Sequence, residues 1–149
     1  MNKNNIFRNT AVKFGAILGS ILIAIFLAME VLLLVQSLAI RILDVVIIYL
    51  IVGRSLHYYQ LHSSEGHSYL RNLGLGVATS FFGMLLFALF LAAYLSLINQ
   101  GYMNFLKEVL PMGPYLNPII IGLFLLIEGV GIGALSGFIQ ALMIKKMEL

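Results

Sequence analysis

The feature that most limits what this chain can fold into is the stretch from Leu73 to Ile98, which carries no charged side chain at all. A helix that crosses a bilayer needs about 20 mostly apolar residues. Three further stretches reach that length. They run from about Phe14 to Gln36, with Glu30 near the far end; from about Leu38 to Tyr58, with Arg41 and Asp44 near the start; and from about Pro118 to Ile144, with Glu128 inside. Four helices of a water-soluble protein would each need a polar face, and these stretches have none to offer. Composition agrees, because only 10% of the 149 residues are charged whereas a soluble domain carries roughly 25%. The expectation is an all-α fold: a four-helix transmembrane bundle, one integral membrane domain over 1–149, with helices at about 14–36, 38–58, 73–98 and 118–144. Its first partner is the lipid bilayer itself.

The first stretch is too long for a secretory h-region of 7–15 residues, although Ser37-Leu38-Ala39 loosely resembles a cleavage site. An uncleaved first helix is therefore expected. Orientation follows from Lys and Arg in the short connections. With four spans, Lys3, Arg8, Lys13, Arg54, Arg71, Lys145 and Lys146 fall on one side, and Arg41 and Lys107 on the other. Both termini should then face the cytoplasm.

The connections differ in kind. A tight turn near Gln36-Ser37 joins the first two helices as a hairpin. The second connection, "HYYQLHSSEGHSYLRN", places Tyr58, Tyr59 and Tyr69 where a ring can be half buried and its hydroxyl wet. In the third, "NQGYMNFLKEVLPMGPYLNP", Tyr102, Phe105, Leu106, Val109 and Leu110 recur at helical spacing. That pattern predicts a short helix on the outer interface, ended by Pro111, Gly113 and Pro114, before Pro118 opens the fourth span.

In lipid there is little hydrophobic force between helices, so small residues that permit close backbone approach become the packing seams. Gly129, Gly133, Gly137 and Ala141 recur every four residues; Gly15 and Gly19 lie among Ala16, Ser20, Ala24 and Ala28; the third span has Gly76, Ser80, Ala88, Ala92 and Ser96. These seams serve packing inside the bundle or, if one lies outside, a homo-oligomer.

Intramembrane carboxylates are the candidate polar sites, because an ionised group at mid-bilayer costs from about 3 to more than 10 kcal/mol. Asp44 follows Arg41 by three residues and shares its helix face, as a local ion pair would. The hairpin brings Glu30 to a similar depth, about 9 Å inside the turn at 1.5 Å per residue. A cluster of Glu30, Arg41 and Asp44 is expected, with Arg41 shared. Glu128 stands roughly 15 Å from Pro118 along the helix, near the midplane, where no cation is at hand. It should be protonated or hydrogen-bonded to Ser, Tyr or backbone groups. Its role is either an interhelical hydrogen bond or proton coupling.

Other chemistry has little to stand on. His57, His62 and His67 fall every five residues, whereas ligands on one helix face stand three or four apart; no metal site is expected there. With no cysteine there is no disulfide framework or thiolate site. Nucleotide-binding, zinc-protease and nucleophile-elbow motifs are missing, as is a basic nucleic-acid patch. No enzyme activity, cofactor or nucleic-acid partner is expected.

The order and spacing of "AVKFGAILG", "LDVVIIYLIVGRSLHYY", "GVATSFFGMLLFALF", the "NP" before the fourth span and "GVGIGALSGFIQALMIKK" resemble the bacterial domain-of-unknown-function family forty-one ninety-nine, over about residues 10–146. The resemblance implies a small four-helix protein of the bacterial cytoplasmic (inner) membrane. It carries no functional residues to transfer. The expectation is a structural or accessory membrane protein, as a homo-oligomer or within a larger assembly; the alternative is a small proton-linked transporter acting through Glu128.

Overall fold

The computed structural model describes residues 3–32, 38–63, 69–109 and 113–147. Those residues form five α-helices and one 3-10 turn, with no strand among them: α1 (Lys3–Val31), α2 (Leu38–His62), α3 (Tyr69–Leu97), α4 (Gln100–Val109), the 3-10 turn Gly113–Tyr115, and α5 (Pro118–Met147). Helices α1, α2, α3 and α5 are each long and apolar enough to cross a bilayer, as the helices of a multi-pass membrane protein must be.

The helices are longer than the apolar runs that betray them. α1 starts at Lys3 and not near Phe14, α2 runs on to His62, and α3 begins at Tyr69. α1 has 29 residues, about 43 Å at 1.5 Å per residue, against a hydrocarbon core of about 30 Å. The added turns are made of polar helix-competent residues such as Lys3, Asn4, Asn5 and Arg8. Hydropathy marks only the part of a helix that needs lipid, so it underestimates the ends. α1 closes with a turn at Leu32; the expected turn at Gln36-Ser37 lies outside the described residues, as do Leu110 and Pro111.

Two asparagines begin helices. Asn117 Oδ1 accepts from the Ile120 backbone N–H at 2.8 Å, and Pro118 takes the first helical position, where no N–H is required. Asn99 Oδ1 accepts from the Tyr102 N–H at 2.9 Å and so caps α4. α4 packs against the end of α3, and its Met103 is buried with Leu91, Leu95, Leu116 and Ile121.

α3 is the central helix. Half of its most apolar window is buried, against 22–28% for the other three spans. α1 and α5 pack along α3, while α2 touches all three. Leu18, Leu22, Ile48, Val52, Leu56 and Leu75 form the fully enclosed centre.

Candidate functional site

A carboxylate node lies at the α4 end of the bundle, a lone carboxyl on the outward face of α5, a groove between α2 and α5, and a Lys13–Tyr58–His62 group at the opposite end.

The glycines fix how the helices face one another. A Cβ added at Gly133 would collide with the Ser80 hydroxyl, and one at Gly129 with the Met84 side chain. One at Gly137 would lie 3.3 Å from the Gly76 Cα. On the other flank of α3, a Cβ at Gly15 would come within 2.6 Å of Phe82 Cβ, and one at Gly19 within 2.8 Å of the Gly83 carbonyl oxygen. Both seams therefore face α3, which accounts for the depth of its burial.

The α1 seam continues as Gly15, Gly19, Leu22, Phe26 and Glu30, spaced by three or four residues and so on one helix face. Glu30 is accordingly delivered to α3. One carboxylate oxygen accepts from the Tyr94 hydroxyl and the other from Asn99 Nδ2 at 2.7 Å. Since Asn99 also caps α4, the single carboxylate ties α1, α3 and α4 together. Beneath it Phe26 meets Phe87, Phe90 and Tyr94 edge to face, with centroids 5.5–6.4 Å apart. Glu30 was expected to share Arg41 with Asp44. The Arg41 side chain lies outside the described residues, Asp44 is half-buried and engaged in an interaction of its own, and the described partners of Glu30 come from α3 and its C-terminal edge.

Glu128 has a different setting. With Gly129, Gly133 and Gly137 against α3, the centre of the seam lies more than a third of a turn from position 128. The side chain is exposed on the outside of the bundle, among Phe124, Ile127 and Leu135, which are exposed as well. No hydrogen bond joins it to a described Ser, Tyr or backbone group. A lone carboxylate held in hydrocarbon would cost several kcal/mol at least, a cost that a hydrogen-bonding partner outside the chain would reduce.

The groove between α2 and α5 measures about 350 Å³ and is lined by Val45, Val46, Tyr49, Ile132, Leu135, Ser136 and Ile139. Its polar lining groups are already engaged. Ser136 Oγ donates to the Ile132 carbonyl at 2.8 Å and the Tyr49 hydroxyl to the Met143 sulfur at 3.8 Å, while beside the groove Gln140 Nε2 donates to the Tyr49 carbonyl at 2.7 Å. What remains is an apolar cleft that fits an acyl chain or the ridge of a neighbouring helix.

At the other end of the bundle the Lys13 ammonium lies 4.9 Å from the centroid of the Tyr58 ring, and His62 stacks on that ring at 4.2 Å. The ring nitrogen Nδ1 of His62 is 2.9 Å from the Tyr58 carbonyl. His57 is exposed, and His67 lies outside the described residues. Among the described residues no three His, Asp or Glu side chains gather around a point where a metal ion would sit.

Sequence reasoning singled out Glu30 but missed Tyr94, Asn99 and Gln140. The signal for Asn99 was local, an Asn directly ahead of an amphipathic helical pattern. Tyr94 shows itself only when the α1 and α3 faces are aligned. No protein-family model matches this chain, nor does any curated protein or any solved structure.

Proposed function

We propose that the chain is a non-catalytic, multi-pass protein of the bacterial inner membrane, a structural or accessory component that works by lateral association with other membrane-embedded helices. Both termini face the cytoplasm in this reading, and α4 lies along the outer interface. The observation that carries it is Glu128, a carboxyl on the outward apolar face of α5. A polar group in lipid is stabilised most simply by a hydrogen-bonding partner on another helix. The apolar α2–α5 groove beside it offers the shape for a neighbour's ridge, and the family resemblance points the same way without supplying an activity.

Extraction from native membranes in a mild detergent, followed by native mass measurement, tests the reading. A particle larger than the 16.5 kDa chain, containing a second copy or another membrane protein, is expected. A lone chain would count against it. The proton-linked alternative uses the same residue. An outward-facing acid needs a second subunit to complete a path, so proton flux in proteoliposomes that disappears in Glu128→Gln would replace the accessory reading.

A further inference from the structure

We propose that the seam between α1 and α2, at the end of the bundle carrying Lys13, Arg54 and Tyr58, holds the headgroup of an anionic phospholipid. The proposal needs only that the four helices span a bilayer, and it is independent of what meets α5.

Three observations carry it. The first is the charge of this end. Lys13 and Arg54 are both exposed here, and the described carboxylates lie elsewhere. Glu30 is bound in the node at the α4 end, Glu108 is on α4 and Glu128 is in the middle of α5. Asp44 shares α2 with Arg54 but stands ten residues away, about 15 Å along the helix. Glu65 and Glu148 lie outside the described residues.

The second is how Lys13 is presented. Its ammonium lies 4.9 Å from the centroid of the Tyr58 ring and 6.0 Å from that of Phe14. His62 stacks on Tyr58, and Phe14 packs on it at 5.5 Å, so the ring that attracts the ammonium is itself held. An exposed lysine loses much rotamer freedom when it binds; the rings restrict it beforehand and lower that cost. The ring face leaves the donors of the ammonium available to an anion.

The third is the order of polarity along the two helices. Lys13 and Ile17 stand one turn apart on one face of α1, and Leu50, Arg54 and Tyr58 recur every four residues on one face of α2. Ile17 and Leu50, 39% and 58% exposed, lie one turn deeper in the apolar spans than Lys13 and Arg54. Arg54 is long enough to carry its guanidinium back toward the interface. Cations above apolar side chains on the same two faces match a phosphate above its acyl chain. Topology alone asks for cations on one side of the membrane, not for one seated on aromatic rings above an apolar seam.

The test titrates the full chain, purified in mild detergent, with phosphatidylglycerol, phosphatidylcholine or glycerol phosphate, and counts bound molecules by native mass spectrometry. Phosphatidylglycerol is expected to bind about tenfold or more tighter than phosphatidylcholine, and Lys13→Gln and Arg54→Gln should each weaken it about fivefold. Lys13→Arg should keep most of the affinity, and Lys107→Gln, on α4, should change nothing. Both Gln variants alter exposed side chains, and Lys3, Arg8, Arg71, Lys145 and Lys146 remain to hold the topology. Equal affinity for the two lipids overturns the proposal, as does a Lys13→Gln/Arg54→Gln double variant that binds phosphatidylglycerol like the parent. Glycerol phosphate binding as tightly as the lipid would make this a site for a soluble anion and overturns it too. So does a stability loss in lipid-free detergent that is coupled between Lys13→Gln and Glu65→Gln, because the cation would then be paired within the chain.

Discussion

Glu30 and Glu128 are both carboxyls within long apolar helices, and the bundle treats them in opposite ways. Glu30 accepts from two donors on two other elements, so its removal takes the acceptor from the Tyr94 hydroxyl and from Asn99 Nδ2 together. Glu30→Ala is expected to destabilise the bundle by about 2–3 kcal/mol and Tyr94→Phe by about 1–2 kcal/mol. Because both act on one network, the double variant should lose less than the total of the two. Reversible unfolding in detergent micelles measures all three, and strict additivity would show that the node is not a unit. Glu128→Leu, by contrast, should leave monomer unfolding within about 0.5 kcal/mol of the parent, as expected for an exposed residue with no hydrogen bond to a described Ser, Tyr or backbone group. The sequence shows that both acids need an explanation, but their difference is one of helix rotation. Glu30 could have been assigned to α3 by its spacing from Gly15 and Gly19. Glu128 lies beside its seam, and only the packed pair α3–α5 shows that it points away.

At the scale of elements, the paired glycines of α5 make the sharpest comparison. Gly133→Leu should disrupt the α3–α5 contact, because even a Cβ there meets Ser80; a loss of at least about 2–3 kcal/mol is expected. Gly131→Leu adds its side chain to open space and should cost the monomer nothing measurable. Unfolding of the two variants in one detergent checks this, and equal losses would mean that both faces are packed. Asn99→Ala removes both a cap and a ligand of Glu30, so α4 should fray. Its amides should exchange faster, with a stability cost of about 1 kcal/mol for the cap before that of the node. The existence of α4 could be read from its amphipathic spacing and its start from Asn99. The starts of α2 at Leu38 and of α5 at Pro118 could be read as well, but the starts of α1 and α3 could not, since these helices extend into polar residues for which a hydropathy reading has no signal.

For the whole molecule, four spans and the distribution of Lys and Arg lead to one expected outcome: tags at the two ends become accessible from the same side of the membrane. Protease protection of tagged protein in inside-out and right-side-out vesicles measures it, and tags on opposite sides would require an odd number of spans. The number of spans was legible in the sequence because apolar length is a one-dimensional property. The arrangement was not, since the choice of α3 as centre depends on two seams that happen to sit on its opposite flanks. That choice bears on how the protein is made. The hub of the bundle leaves the ribosome third, so the hairpin of α1 and α2 must wait in the membrane with Gly15 and Gly19 uncovered, and the last span arrives to find its berth already built. A nascent chain stalled before α3 is complete would thus be the form most exposed to quality-control proteases, and a chain stalled just after it the first to escape them.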